Sequence, residues 1–142
     1  MSNWIPKIWG GELIFADNEL YCGKILEVKK GHFSSFHRHK KVEDWLIYSG
    51  KILLLHSFHP LLQKRSKDIG LRVGGAYGED VILNGVEYKS EEKGLLTQTL
   101  LRKSDTKHIP SLEWHLFYAL EDSQIIEVST PDEESERLTE SY

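Results

Sequence analysis

The stretch GHFSSFHRHKKVEDWLIYSG, residues 31–50, carries His37, His39 and Glu43 between Gly31 and Gly50. On a strand, residues two apart point to the same face. His37 and His39 can therefore face one cavity, and Arg38 must point the opposite way. After three intervening residues comes Glu43, which can begin the next antiparallel strand after a tight turn and so bring its carboxylate beside both imidazoles. Gly31 and Gly50 bracket the unit as turn residues. Two imidazoles and a carboxylate converging from adjacent strands make a mixed nitrogen and oxygen site, suited to one divalent transition metal ion such as Zn, Fe, Mn or Ni.

A third imidazole stands in HIPSLEWHLFYA, residues 108–119. His115 alternates with Trp114 and Leu116 and shares a face with Phe117 and Ala119. Pro110 suits the start of a strand or a barrel rim, where its missing N–H costs little. A single buried histidine is more often structural than a ligand. His32, His56, His59 and His108 keep that reading; it is the pair with a carboxylate that points to a metal.

Working outward, the rest of the chain reads as strand. Segments 19–29, 42–49, 51–58, 95–103, 113–121 and 124–130 are rich in Ile, Leu, Val and aromatics, and Gly, Asp, Asn and Ser separate them. Many short strands with such turn signals predict an all-β sandwich or barrel. No long segment has a clear 3.6-residue apolar period. Residues 57–94 hold six of the eleven glycines. Within them VILNGVEY predicts a hairpin about Asn84-Gly85, whose residues suit a type I′ turn. Residues 131–142 form an acidic tail with five carboxylates and one arginine, expected to be a solvated end.

A chain of 142 residues suits one domain, 1–142, with 57–94 as an insertion. A domain this long buries roughly 68% of its unfolded surface and needs no staple. The formal net charge is −4 and no basic stripe stands out, which argues against nucleic acid as the partner. The apolar runs are far short of the roughly 20 residues a bilayer span needs, and the first residues lack the pattern of a secretory signal. Cys22 is the only cysteine. No internal disulfide is possible, and a cytoplasmic location is expected.

The spacing Gly31, His37-x-His39, Glu43, Gly50 matches the first motif of the cupin superfamily in full. Of the second motif, Pro110 and His115 match, while Ser104, Leu112 and Ala119 stand where it has two glycines and an asparagine. A narrower likeness covers more of the chain. IWGGELIFADNELYCGKILEVKKG, the histidine motif and ALEDSQIIEVSTP together resemble the small cupins related to mannose-6-phosphate isomerase. The resemblance implies a double-stranded β-helix, or jelly-roll barrel, with a hairpin insertion between the motifs. It also implies a divalent metal on His37, His39, Glu43 and His115, a homodimer, and aldose–ketose isomerisation of a sugar or sugar phosphate.

Such an isomerisation moves a proton between the two carbons of an enediolate, which takes a base and an electrophile at the carbonyl. Glu127 is the candidate base, on a strand expected next to that of His115; the competing reading is a rim glutamate facing water. Lys24 and Tyr21 are candidate substrate contacts from a facing strand; as ordinary interior and surface positions they would have no such role. Three histidines and a glutamate also support oxygen chemistry on iron, so a cupin dioxygenase is the alternative enzyme. A sugar-binding cupin with a structural metal is the non-enzymatic one.

Overall fold

Period-2 alternation decides what each strand buries. The computed structural model describes residues 3–58, 72–74, 80–83, 86–89, 97–131, 135–138 and 141. Its strands are β1 (Asn3–Lys7), β2 (Gly10–Asp17), β3 (Cys22–Val28), β4 (His37–Arg38), β5 (Glu43–Ser49), β6 (Lys51–Ser57), β7 (Arg72–Gly74), β8 (Asp80–Leu83), β9 (Val86–Lys89), β10 (Thr97–Arg102), β11 (Thr106–Ile109), β12 (Trp114–Ala119), β13 (Ser123–Ser129) and β14 (Glu136–Arg137). One sheet runs β1-β2-β3-β13-β5-β11 and a second β10-β6-β12-β4-β14. The pairs are antiparallel throughout. This is the all-β jelly roll expected. Among the described residues no helix is long and apolar enough to cross a membrane.

The two sheets enclose a core of Trp9, Leu26, Trp45, Ile47, Ile52, Leu54, Phe117, Ala119 and Ile125, with others. Each Leu, Ile or Phe among them, fully buried, contributes about 1.5–3 kcal/mol. On β6 and β12 the alternate residues Leu53, Leu55, Trp114 and Leu116 form a second cluster with Phe33, Phe36 and Leu138. Both faces of the five-stranded sheet are thus covered at its centre, which explains why these two strands read as unbroken apolar runs.

The inward positions change character along the barrel. Ala119 gives way to Phe117 and then His115 on β12, Ile52 to Leu54 and His56 on β6, and Ile47 to Trp45 and Glu43 on β5. On β3 and β13 the polar partners are Lys24 and Glu127, which sit opposite each other. His56, His115 and His37 occupy one register level across β6, β12 and β4. One end of the barrel is packed hydrocarbon, and the other is lined by titratable groups.

Four expectations change. β4 and β5 do not form a hairpin: β4 lies in the five-stranded sheet and β5 in the six-stranded one. The chain crosses between sheets over residues 39–42, so His37 and Glu43 approach from opposite walls. Glu127 likewise is not on a neighbour of the His115 strand, because β13 pairs with β3 and β5. The tail is not simply solvated: β14 adds to β4, Leu138 N–H donates to Phe36 O at 2.7 Å, and Leu138 is buried. Finally, β1, β2 and β11 lie outside the expected segments. β1 is an edge strand, so it tolerates the Pro6 that masks it in the sequence.

The hairpin strands in the insertion pair as expected, Val81 with Tyr88 and Leu83 with Val86; the Asn84-Gly85 turn lies outside the described residues.

Gly31 and Gly50 have φ of +83° and +88°. At Gly50 a Cβ would collide with Asp122 O and Ser123 Oγ. Ser104 and Leu112, which stand where the second motif has glycines, also take positive φ, 75° and 65°. The left-handed region costs an L-residue about 1–2 kcal/mol, whereas glycine's extra unfolded-state entropy costs about 0.5–1 kcal/mol. Replacing the exposed Leu112 by glycine is therefore expected to stabilise the fold by up to about 1 kcal/mol and raise the thermal midpoint by about 2–4 °C. Differential scanning calorimetry of Leu112→Gly checks this, and a lowered midpoint would contradict it.

Candidate metal centre

Three of the imidazoles at the polar end, His37, His39 and His115, are held by backbone carbonyls. His37 Nδ1 lies 2.8 Å from Ser35 O, His39 Nδ1 3.1 Å from Lys41 O, and His115 Nδ1 2.8 Å from Glu113 O. A carbonyl only accepts, so in all three rings Nδ1 carries the proton and donates it. In the neutral imidazole this leaves Nε2 as a bare lone pair. A carbonyl behind the ring is the usual way a metal-binding histidine is oriented.

The three rings converge. Ring centroids are 4.4 Å apart for His37 and His115, 4.9 Å for His39 and His115, and 5.6 Å for His37 and His39. One ligand atom from each lies within 4.8 Å of the other two, so a modest inward movement of the rings would bring all three to bonds of about 2.0–2.2 Å with one ion. Glu43, the first residue of β5, brings Oε1 to 3.2 Å from His39 Nε2 and 3.4 Å from His115 Nε2.

These atoms cannot satisfy one another while the rings are neutral. His115 Nε2 is fully buried and has no hydrogen-bond partner among the described residues. A buried polar atom without a partner normally costs about 1–3 kcal/mol. Lone pairs aimed at a carboxylate need a cation between them, either a proton or a metal ion. The donor set of three imidazoles and one carboxylate fits a divalent transition metal, so His37, His39, His115 and Glu43 are the residues that would hold one.

The electrostatics agree with this. Burial, reinforced by neighbouring His115, lowers the His37 pKa to about 3, so the ring is neutral at physiological pH. Burial alone would raise Glu43, but hydrogen bonds from His115 and His39, which need a proton on Nε2, outweigh it and hold the carboxyl well below its usual range, so the carboxylate too calls for a cation at this point. Glu127 goes the other way. Burial and the charge of neighbouring Glu43 push it well above the usual carboxyl range against the opposing pull of Lys41 and Lys24.

The cluster forms one wall of a cavity of about 360 Å³ that also includes Lys24, Lys41, Trp45 and Glu127. Glu127 is 6% exposed, with Oε2 4.0 Å from Lys41 Nζ. Lys24 Nζ lies 3.6 Å from Glu12 Oε1. Tyr21 is not brought in: it stands 53% exposed in the turn before β3, outside the cavity lining. Arg38 points outward as expected, 4.5 Å over the Trp114 ring and 2.9 Å from Glu136.

Of the other histidines, His56 faces inward and shares a 2.8 Å hydrogen bond with Thr99. His108 is an exposed partner of Asp44 at 3.0 Å. His59 lies outside the described residues. The sequence reading missed Lys41, Glu12, Trp45 and Arg137 as cavity residues. For Lys41 and Trp45 the signal was available, since each stands two positions from Glu43. For Arg137 there was none.

No protein-family model matches the chain, and no curated protein sequence does. Solved structures do. KdgF from Halomonas sp. superposes with a TM-score of 0.60 at 13% identity, over 92% of this chain and 89% of that one. A tryptophan-to-tyrosine variant of Bacillus subtilis oxalate decarboxylase gives 0.61 at 14% identity, over 92% of this chain and 27% of that one. An arginine-to-alanine variant of the same decarboxylase gives 0.65 at 15% identity, over 96% and 30%. The chain thus spans less than a third of the decarboxylase's length. That decarboxylase has Mn(II) centres. At these identities the likeness is one of fold: the chain has the cupin fold.

A protein stripped with chelator is expected to take up about one equivalent of a divalent transition metal. At free metal a hundredfold above Kd, binding adds about 2.7 kcal/mol, a rise in thermal midpoint of roughly 5–10 °C. His115→Ala is expected to weaken binding by more than the 10- to 100-fold typical of losing a group that only orients a ligand. Calorimetric titration and elemental analysis check this; unchanged uptake in His115→Ala would remove the residue from the site.

Proposed function

We propose that the protein is a metal-dependent aldose–ketose isomerase acting on a sugar or sugar phosphate. The observation that carries the reading is Glu127, a buried carboxyl group 4.0 Å from Lys41 Nζ and lining the same cavity as the three imidazoles. A buried acid outside the expected ligand set, beside a cation site and open to a substrate-sized cavity, is what proton transfer at a carbon next to a carbonyl requires. The resemblance of the WGGE and IIEVST segments to small mannose-6-phosphate isomerase-like cupins supports the same chemistry.

A bound divalent ion supplies Lewis-acid polarisation of the substrate carbonyl and compensates the negative charge that develops on the enediolate. The chain's own residues do the rest. Glu127, as carboxylate, accepts the proton from C2 of an aldose, and the electrons of that C–H bond form the C1–C2 double bond of the enediolate. The hydroxyl proton on O2 passes to O1, and the same carboxyl returns its proton to C1 as the C2 carbonyl forms, giving the ketose. Lys41, 4.0 Å from Glu127, stabilises the ionised carboxylate before the first transfer and after the second. Trp9, Trp45 and Phe117 keep that end of the cavity dry. Lys24, opposite Glu127 on β3, is within the same cavity and serves as a contact for a substrate hydroxyl or anionic group.

Isotope exchange tests this directly. In heavy water the metal-loaded protein is expected to place deuterium at C2 of its aldose. Chelation should abolish exchange, and Glu127→Gln should slow it by about 100- to 10,000-fold with metal content unchanged. Loaded protein that exchanges nothing across hexoses, pentoses and their phosphates would refute the reading. Oxygen uptake with a small organic acid would point to a dioxygenase instead, and tight sugar binding without turnover to a binding module.

A further inference from the structure

The protein carries a net charge of −4, yet its cavity is electropositive. Lys7, Lys24, Lys41 and Arg137 line it against the carboxylates of Glu12, Glu43 and Glu127. A divalent ion on the imidazoles raises the formal charge of that lining to +3. Two of the lysines, Lys24 and Lys41, are 6% and 7% exposed. Both are paired, Lys24 with Glu12 at 3.6 Å and Lys41 with Glu127 at 4.0 Å. Trp45, 2% exposed and lining the same cavity, has an indole N–H with no hydrogen-bond partner among the described residues. A neutral polyol requires none of this excess positive charge. An anion does, and a clefted field of one sign raises its local concentration.

The placement of Arg137 is the most specific of these features. β14 pairs with β4 so that Arg137 lies opposite His37. Three anchors fix that register: Leu138 buried among Phe36 and Trp114, Leu138 N–H on Phe36 O at 2.7 Å, and Glu136 on Arg38 at 2.9 Å. Arg137 itself is exposed and makes no ion pair among the described residues. The strand is thus pinned by its neighbours while its guanidinium stands at the cavity, one register position from a metal-site imidazole. A planar fork of N–H donors is suited to bidentate recognition of carboxylate or phosphate.

We propose that the cavity takes a substrate bearing a carboxylate or phosphate, and that Arg137 on the C-terminal strand is the residue that binds this anionic group and sets the specificity for it. The inference rests on the cavity being the substrate site of the function proposed above, but it does not require isomerisation. The reacting carbons lie at the imidazole cluster and Glu127, and the anionic end lies toward Arg137.

Calorimetric titration of the full chain loaded with Mn(II) tests it, using D-fructose, D-fructose 6-phosphate and D-glucuronate as probes. At least one anionic sugar is expected to bind tenfold or more tightly than D-fructose; which of the two does so identifies the anion as phosphate or carboxylate. Arg137→Ala should cut that preference by about 10- to 100-fold, as expected for losing a charge-assisted pair, with Mn(II) content and thermal midpoint unchanged. Arg137→Lys should restore part of it. Equal affinity for neutral and anionic sugars, no binding of either anionic sugar at millimolar concentration, or full preference retained in Arg137→Ala would each overturn the proposal. If an anionic sugar binds through Arg137 but exchanges no deuterium, the isomerase reading falls and this one stands. If the chain takes up no Mn(II), the same titrations on the metal-free protein decide the role of Arg137.

Discussion

Three imidazole lone pairs and a carboxylate aimed at one point repel each other unless a cation lies among them, and the polar end of this barrel is built around that constraint. Glu43 lies 3.2 and 3.4 Å from the two imidazole nitrogens, within contact distance, and a buried acceptor facing another acceptor forfeits the hydrogen bond each would otherwise make, at about 1–3 kcal/mol per group. The cluster persists because it is held from behind. Three backbone carbonyls fix the rings, and the two sheets bring the donors from opposite walls, so relaxing the repulsion would mean opening the barrel. The hydrocarbon layers at the other end resist that opening. A cation binding here gains what the fold has already spent on assembling the site.

The metal constellation was legible because its chemistry depends on local spacing. His37-x-His39 shares a face on any strand, and Glu43 and His115 are strand residues beside apolar alternations. Topology was not legible from the same spacing. Nothing in residues 39–42 distinguishes a tight hairpin from a crossing between sheets, since both need a short polar connection, and the difference lies in which distant strand pairs with β5. The strand of Glu127 was misplaced for the same reason. β1 and β2 were hidden by Pro6, Gly10 and Gly11, residues that an edge strand and a tight turn accept but that read as punctuation. The tail was hidden by its charge: five carboxylates suggest solvent, and the single buried Leu138 that anchors it is too small a signal to outweigh them.

The interior shows how a single sheet can carry both core and chemistry. Across the six-stranded sheet, Leu26, Ile125 and Ile47 form one level, Lys24, Glu127 and Trp45 the next, and Cys22, Ser129 and Glu43 the one beyond. Each step of two residues along a strand moves about 6–7 Å toward the open end. The change from Ile125 to Glu127 over one such step is matched on β3, where Leu26 gives way to Lys24 at the same levels, while on β5 Trp45 stays part of the core. Lys24 and Glu127 face each other across one pair of strands, and Lys41 approaches Glu127 from the connection between sheets. A charge placed one level deeper would meet only hydrocarbon.

The turn before β12 shows where the fold accepts strain for the sake of the site. Leu112 takes a left-handed conformation that glycine would occupy at lower cost, and its N–H donates to His39 O at 2.8 Å. Directly after it, Glu113 O accepts from His115 Nδ1 at 2.8 Å. One turn therefore fixes the backbone of one metal-site histidine and the ring of another. Such strain survives only where the surroundings over-determine the backbone. Here they do, because Pro110 sets the approach to the turn, and Ile109 and Trp114 on either side of it are buried. A Leu in place of glycine also narrows the conformations open to the turn. Leu112, like Ser104, takes the positive φ that glycine takes most easily, so at this turn the backbone path is enforced by contacts on both sides, and the imidazole of His115 reaches the cluster.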